Sequence, residues 1–175
     1  MRKTNRQKTS GIAFVLALSA LTCSAAFAAD DASFAPGGTA IDHHTEQFSG
    51  LKIVMDLKAA TPASISFGAV VAGRIMQQPK AQIVVVVEGP AIGVFAKKNY
   101  IAHQGIVDTW VNLVKKGVKV EYCGNSVKGA GLKPSDMEGL SSMSPAVVNP
   151  GAYPTLAHYQ TEGFKPIVVE LMDKG

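Results

Sequence analysis

One thiol dominates the chemistry this sequence could perform. Cys123 stands in "VKVEYCGNSVKG" (residues 118–129), where a β-like run meets a glycine-bearing turn. The chain has two cysteines, and Cys23 falls in an amino-terminal segment laid out like a secretory leader. Removal of that leader leaves Cys123 alone. No intramolecular disulfide could then form, and a leftover cysteine in an oxidising compartment is a candidate reactive group. In open α/β sheets, ligands bind outside the carboxyl ends of the strands, and Cys123 falls at such an end. If the chain from Ser126 onward takes up a helical turn, backbone N–H groups and a positive helix end would face the sulfur, with Lys128 adding positive potential. Such surroundings lower a thiol pKa from about 8.5 and favour the thiolate, which attacks disulfide and persulfide sulfur. Gly124, Asn125, Ser126 and Lys128, in the turn after the thiol, are therefore candidate binding residues. The competing reading is a small buried hydrophobe at a strand end, inert because of its apolar surroundings.

The remaining reactive residues form weaker patterns. His43 and His44 lie in "DHHTE", but the spacing matches no closed metal site, and a solvated linker explains the motif better. His103 and His158 could serve a nearby thiol as general base, although a lone helical histidine is more often a surface or satisfied core group. Glu88 ends a valine-rich run on the sheet edge expected to hold Cys123; it could line the crevice, with a capping or solvated role the more ordinary expectation. "GPAIGV" lacks the Lys-Ser/Thr of a phosphate-binding loop, and no G-x-G-x-x-G follows the first strand. Neither a metal nor another cofactor is expected.

The elements that must position these groups begin after the leader. Arg2, Lys3, Arg6 and Lys8 precede an apolar core, and Ala26 and Ala28 supply small residues before a cut, so residues 1–28 read as a cleavable signal peptide. The expected location is periplasmic or secreted, with no stable membrane span after cleavage. The formal charge of +4 disappears with those four cations, leaving 13 Lys+Arg against 13 Asp+Glu. A near-neutral chain gives no electrostatic case for a nucleic-acid partner. Residues 29–50, polar and marked by Pro36-Gly37-Gly38, read as a flexible lead-in. Residues 51–175 suit one domain.

Within that domain, strands are expected over 51–57, 81–89, 118–123, 144–149 and 164–171. Four consecutive valines (84–87) without alternation indicate a strand covered on both faces, as in a buried parallel sheet. Pro166 places the last strand at an edge or makes it a strand start. Helices are expected from Pro62, capped by Thr61, to Pro79, then over 103–117 and 154–163. Residues 90–99 suit a short helix or turn, and Phe95 and Trp110 are expected in the core or a subunit interface. The alternation predicts an α/β domain, a three-layer α/β/α sandwich with a mainly parallel five-stranded sheet.

The segment "LVKKGVKVEYCGNSVKGAGLKPSDM", with Gly131, Leu132, Pro134 and Asp136, resembles the DsrE/DsrF-like family of small sulfur-relay proteins. "VVNPGAYPTLAHYQTEGFKPI" extends the likeness, which covers about 120 residues, 51–169. The resemblance implies the three-layer fold, assembly as a homo-oligomer, and a cysteine that carries sulfur as a persulfide, a role that falls here on Cys123. The leader departs from the cytoplasmic relatives and points to sulfur or thiol chemistry outside the cytoplasm. The expected function is an exported sulfur carrier, transferase-like rather than an autonomous enzyme. Its partners would be copies of itself, sulfur donors and acceptor thiols. The alternative is a non-catalytic oligomeric module that binds a small ligand or peptide, with Cys123 structural. A third possibility is an intermolecular disulfide through Cys123.

Overall fold

The computed structural model describes residues 48–141 and 145–170. The leader, nearly all of the lead-in, Cys23 and the DHHTE motif lie outside the described residues. Five strands form one sheet: β1 (Lys52–Leu57), β2 (Gln82–Val87), β3 (Lys119–Cys123), β4 (Val148–Asn149) and β5 (Lys165–Val169). Their order is β4-β3-β2-β1-β5, and every pairing is parallel. The valine-rich β2 occupies the centre, where its last five residues are buried. This is the position its unbroken apolar run demands.

The helices are α1 (Pro62–Ile75), α2 (Tyr100–Lys115), α3 (Gly124–Gly129) and α4 (Ala152–Thr161). Thr61 caps α1 by accepting a hydrogen bond from Ser64 N at 3.2 Å, and Pro62 fills the first helical position, where a missing N–H costs nothing. α1 and α2 cover one sheet face. There Ile65, Ala69, Val107, Trp110 and Leu113 join Met55, Leu57, Ile83, Val85 and Val87 in the main core. Phe95 packs edge-on against Trp110 with ring centroids 6.2 Å apart, so both aromatics are core residues. The opposite face carries a smaller cluster: Val54, Val84, Val86 and Cys123 under Ala152, Leu156 and Tyr159 of α4, with Phe164 beside them. Helices on both faces make the three-layer sandwich that the alternation predicts.

Several elements differ in extent from the sequence reading: α1 stops at Ile75 rather than near Pro79, and α4 runs Ala152–Thr161 rather than 154–163, with Pro154 inside its first turn rather than opening it. Residues 90–99 resolve into two 3-10 turns, Gly89–Gly93 and Lys97–Asn99, tied by a 2.7 Å hydrogen bond from Asn99 Nδ2 to Gly93 O. The second turn runs straight into α2, which therefore begins at Tyr100, with non-helical backbone at His103 (φ −125°, ψ 17°). β4 shrinks to two residues and is stopped at Pro150, which cannot donate to a ladder. β5 is an edge strand, as Pro166 requires.

The two-faced burial has a measurable consequence. Trp110 is fully buried, whereas Val168 on β5 is 63% exposed. Trp110→Ala is expected to cost about 3–5 kcal/mol in urea unfolding, and Val168→Thr to stay within about 0.5 kcal/mol of the parent protein.

Candidate functional site

Strand register assembles the site. Side chains alternate between sheet faces, so residues in register on neighbouring strands share a row. Asp56 pairs with Val86, and Val86 with Glu121, forming one row on the α4 face. The next row on that face follows two residues further along each strand. Val87 is the last β2 partner, opposite Tyr122, and carrying the register one residue on sets Glu88 beside Cys123. Lys58 follows on the far side, with Nζ 3.8 Å from Glu88 Oε1. Asn149 pairs with Cys123 across β3 and β4. A bond of 3.1 Å from Glu88 N to Leu57 O continues the β1–β2 ladder past the end of β2 and holds Glu88 in line.

Of these groups, Glu88 and Cys123 open onto a cavity of about 240 Å³ at the carboxyl edge of the sheet. Glu88 and Cys123 line it from the strand ends, Asn125 and Ser126 from α3, and Tyr153 and Pro154 from α4. Cys123 is 3% exposed, in contact with the apolar cluster under α4 yet part of the cavity wall. It also takes the N-cap position of α3 without a side-chain capping bond. Ser126 Oγ accepts a hydrogen bond from Gly89 N at 3.0 Å, clamping the turn after Cys123 to the turn after Glu88. Gly124 allows the close approach of β4: a Cβ there would lie 2.5 Å from the Asn149 carbonyl oxygen.

The acidic groups of the α4 face are treated unequally. Glu121 receives the Tyr159 hydroxyl at 2.5 Å and Asn149 Nδ2 at 3.2 Å. Burial, and then the bond to Glu121, push the Tyr159 hydroxyl pKa up. Asp56 and Glu88 are also buried, yet Asp56 Oδ1 and Glu88 Oε1 accept no hydrogen bond among the described residues. Burial pushes Asp56 up to about 6; the neighbouring Glu88 charge adds to this, Lys58 opposes it, and a side-chain hydrogen bond between the two carboxyls raises it further. Lys58 is itself raised, chiefly by Tyr153 and then by Glu88.

Of the residues singled out in the sequence, Cys123, Asn125 and Ser126 meet at the cavity. Gly124 backs onto β4 instead, and Lys128 is exposed and does not line the wall. Glu88, for which a solvated or capping role was the ordinary expectation, is 7% exposed, makes no side-chain capping bond and faces the cavity. Neither histidine joins it. His103 lines a separate groove of about 640 Å³ between α1 and α2 on the other face, and exposed His158 lies 3.3 Å from Glu162 on α4. Sequence reasoning missed Asp56, Lys58 and Tyr153. The one carboxylate inside the apolar run "LKIVMDL" was the available signal for Asp56. Among the described residues, no group of three or more His, Cys, Asp or Glu could hold a metal ion, and no helix is long and apolar enough to cross a membrane.

The DsrE/DsrF-like family matches residues 42–169. Two solved structures share the fold. A protein of unknown function from Methanobacterium thermoautotrophicum is 17% identical with a TM-score of 0.54, the alignment covering 67% of this chain and 98% of that one. A conserved protein of unknown function from Bacteroides thetaiotaomicron is 16% identical with a TM-score of 0.50, covering 67% and 95%. No curated protein matches the sequence.

The raised Asp56 pKa sets a pH dependence of stability. The folded protein binds the Asp56 proton more tightly than the unfolded chain does. Stability from this group is therefore full below pH 3.8 and falls as pH rises to about 6. Asp56→Asn should flatten that fall in urea unfolding measured across this range. Above pH 6 the variant should be more stable by on the order of 1–2 kcal/mol, after allowance for solvent screening at the cavity.

Proposed function

Because the chain belongs to the DsrE/DsrF-like family, we propose that it is a sulfur carrier in which Cys123 accepts sulfane sulfur as a persulfide. The observation that carries this reading is the placement of Cys123, the one thiol of the described residues, on the cavity wall at the carboxyl edge of the sheet. The Cys123 thiolate attacks the terminal sulfur of a hydropersulfide, R–S–SH. A new S–S bond forms, the donor S–S bond breaks, and the thiolate R–S⁻ leaves with the electron pair. Handover repeats the exchange in reverse roles: an acceptor thiolate takes the terminal sulfur and Cys123 departs as thiolate. No net oxidation occurs in either step. With no second described cysteine, the acceptor is another molecule or subunit.

Incubation with polysulfide, followed by alkylation and mass spectrometry, should show an adduct of about 32 Da, one sulfur atom, on Cys123. Cys123→Ser should abolish it while leaving the fold intact. Absence of the adduct on the folded parent protein would sink the sulfur reading. The near-complete burial of Cys123 favours a second reading, a small-ligand binding module with a structural thiol. Biological activity unchanged in Cys123→Ser would support that one.

The reading as an exported protein rests on residues 1–28, whose basic start, apolar stretch and small residues before Ala29 suit a signal peptidase. Amino-terminal sequencing of protein from the periplasmic fraction or the medium should begin at Ala29. An intact Met1 in cytoplasmic protein would refute export.

A further inference from the structure

Glu88 presents a feature that the sulfur chemistry leaves unused. Its carboxylate is more than nine-tenths buried, it lines the cavity next to Cys123, and its Oε1 accepts no hydrogen bond. Lys58 Nζ, at 3.8 Å, is beyond hydrogen-bond reach and its side chain is 43% exposed. Asp56, on the same sheet face, is a second buried carboxyl; it shares a side-chain hydrogen bond with Glu88 and leaves its own Oδ1 without a partner. Buried carboxylates in this state are costly unless a donor meets them, and a cationic donor meets them best.

We infer that the cavity takes a small thiol-derived compound bearing an ammonium group, which donates to Glu88 while its sulfur meets Cys123. The inference deepens the proposed function and rests on Cys123 being the reacting thiol. Size agrees with it. About 240 Å³ has room for a compound of the size of an aminothiol persulfide and falls below the range of drug-sized ligand pockets. Charge agrees as well. Glu88 is the charged residue of the wall, Lys58 beside it is matched by that carboxylate, Asp56 adds negative charge once ionised above about pH 6, and exposed Lys128 stays off the wall, so a cationic donor is favoured over an anionic one. A hard divalent cation is the poorer occupant, since it would ask for more oxygen ligands than these two carboxyls supply. In polar terms, the remaining wall offers the Asn125 amide, the Ser126 hydroxyl and Tyr153, which suit a compact polar molecule.

Three symmetric disulfides test the charge selection: cystamine (two ammonium groups), bis(2-hydroxyethyl) disulfide (neutral) and dithiodiglycolate (two carboxylates). In each case the Cys123 thiolate attacks one sulfur, forming a protein mixed disulfide and releasing one thiolate. Rates are read by mass spectrometry on the folded protein. Each is divided by its rate on the same protein unfolded in urea, which cancels leaving-group differences. The normalised rate should fall from cystamine to the neutral probe to the dianion, with about tenfold or more between the extremes at low salt. Glu88→Gln should remove most of that span. Salt should compress it in the parent protein, a readout that does not need the variant to fold. A flat or inverted order, or a folded thiol that takes none of the three probes, overturns the inference. The outcomes separate from those of the sulfur reading. Charge selection without a polysulfide adduct would keep the ligand site and reject the carrier, and an adduct without charge selection would do the opposite.

Discussion

Parallel register is the constraint on which the site depends. All pairings in the sheet run the same way, so β1, β2 and β3 end at one edge, and pleating sorts their last residues onto two faces. Lys58, Glu88 and Cys123 come from three strands far apart in sequence, yet register makes them neighbours. A slip of one residue on any strand would turn its end group toward the other face. The valines of β2 hold the register because both faces are buried, and a slipped strand would have to repack two cores at once. The polar cluster is therefore positioned by apolar packing behind it, with the Ser126–Gly89 bond fixing only the last turn.

The two faces divide labour unequally. α1 and α2 bury the large aromatics on one side, and the mass of the core lies there. The other side has a single ten-residue helix, α4, whose start contributes Tyr153 and Pro154 to the cavity. Thin cover lets carboxyl groups approach the sheet surface. Glu121 shows what satisfaction looks like in that setting, with a tyrosine hydroxyl and an amide both donating to it. Asp56 and Glu88 stand on the same face with a side-chain hydrogen bond only to each other, which leaves Asp56 Oδ1 and Glu88 Oε1 without a donor. That contrast is informative, since a tyrosine hydroxyl and an amide serve Glu121 alone of the three acids.

Much of the architecture is legible in the residues. The valine run announces a central strand, Thr61-Pro62 announces a capped helix, and Pro166 announces an edge. These are local signals with local causes. Strand order is not local, and nothing in the alternation of elements specifies that β2 lies between β1 and β3. The site suffers from the same gap. Cys123 stands out because it is unique and ends a strand, but its partnership with Glu88 depends on pairing between segments separated by an entire helix. Asp56 hides inside an apolar run whose pattern reads only as burial. Lys128, next to the thiol in sequence, reads as an electrostatic partner and is not one on the cavity wall, because a helical turn carries it outward. The histidines keep the ordinary role expected of lone helical histidines: His103 belongs to a helix that packs on the opposite face, and His158 is exposed.

The borders of the sheet have a consequence of their own. A parallel sheet with free margins invites further chains to add on, strand against strand, into insoluble stacks. On one margin β4 offers only two residues of ladder and is stopped at Pro150. On the other, β5 carries Pro166, which brings no amide hydrogen to a prospective neighbour. Both outer strands are thus poor templates, and open-ended polymerisation is discouraged by the backbone itself. What the two outer strands leave for contact with other molecules is side-chain surface, where recognition can be specific and finite.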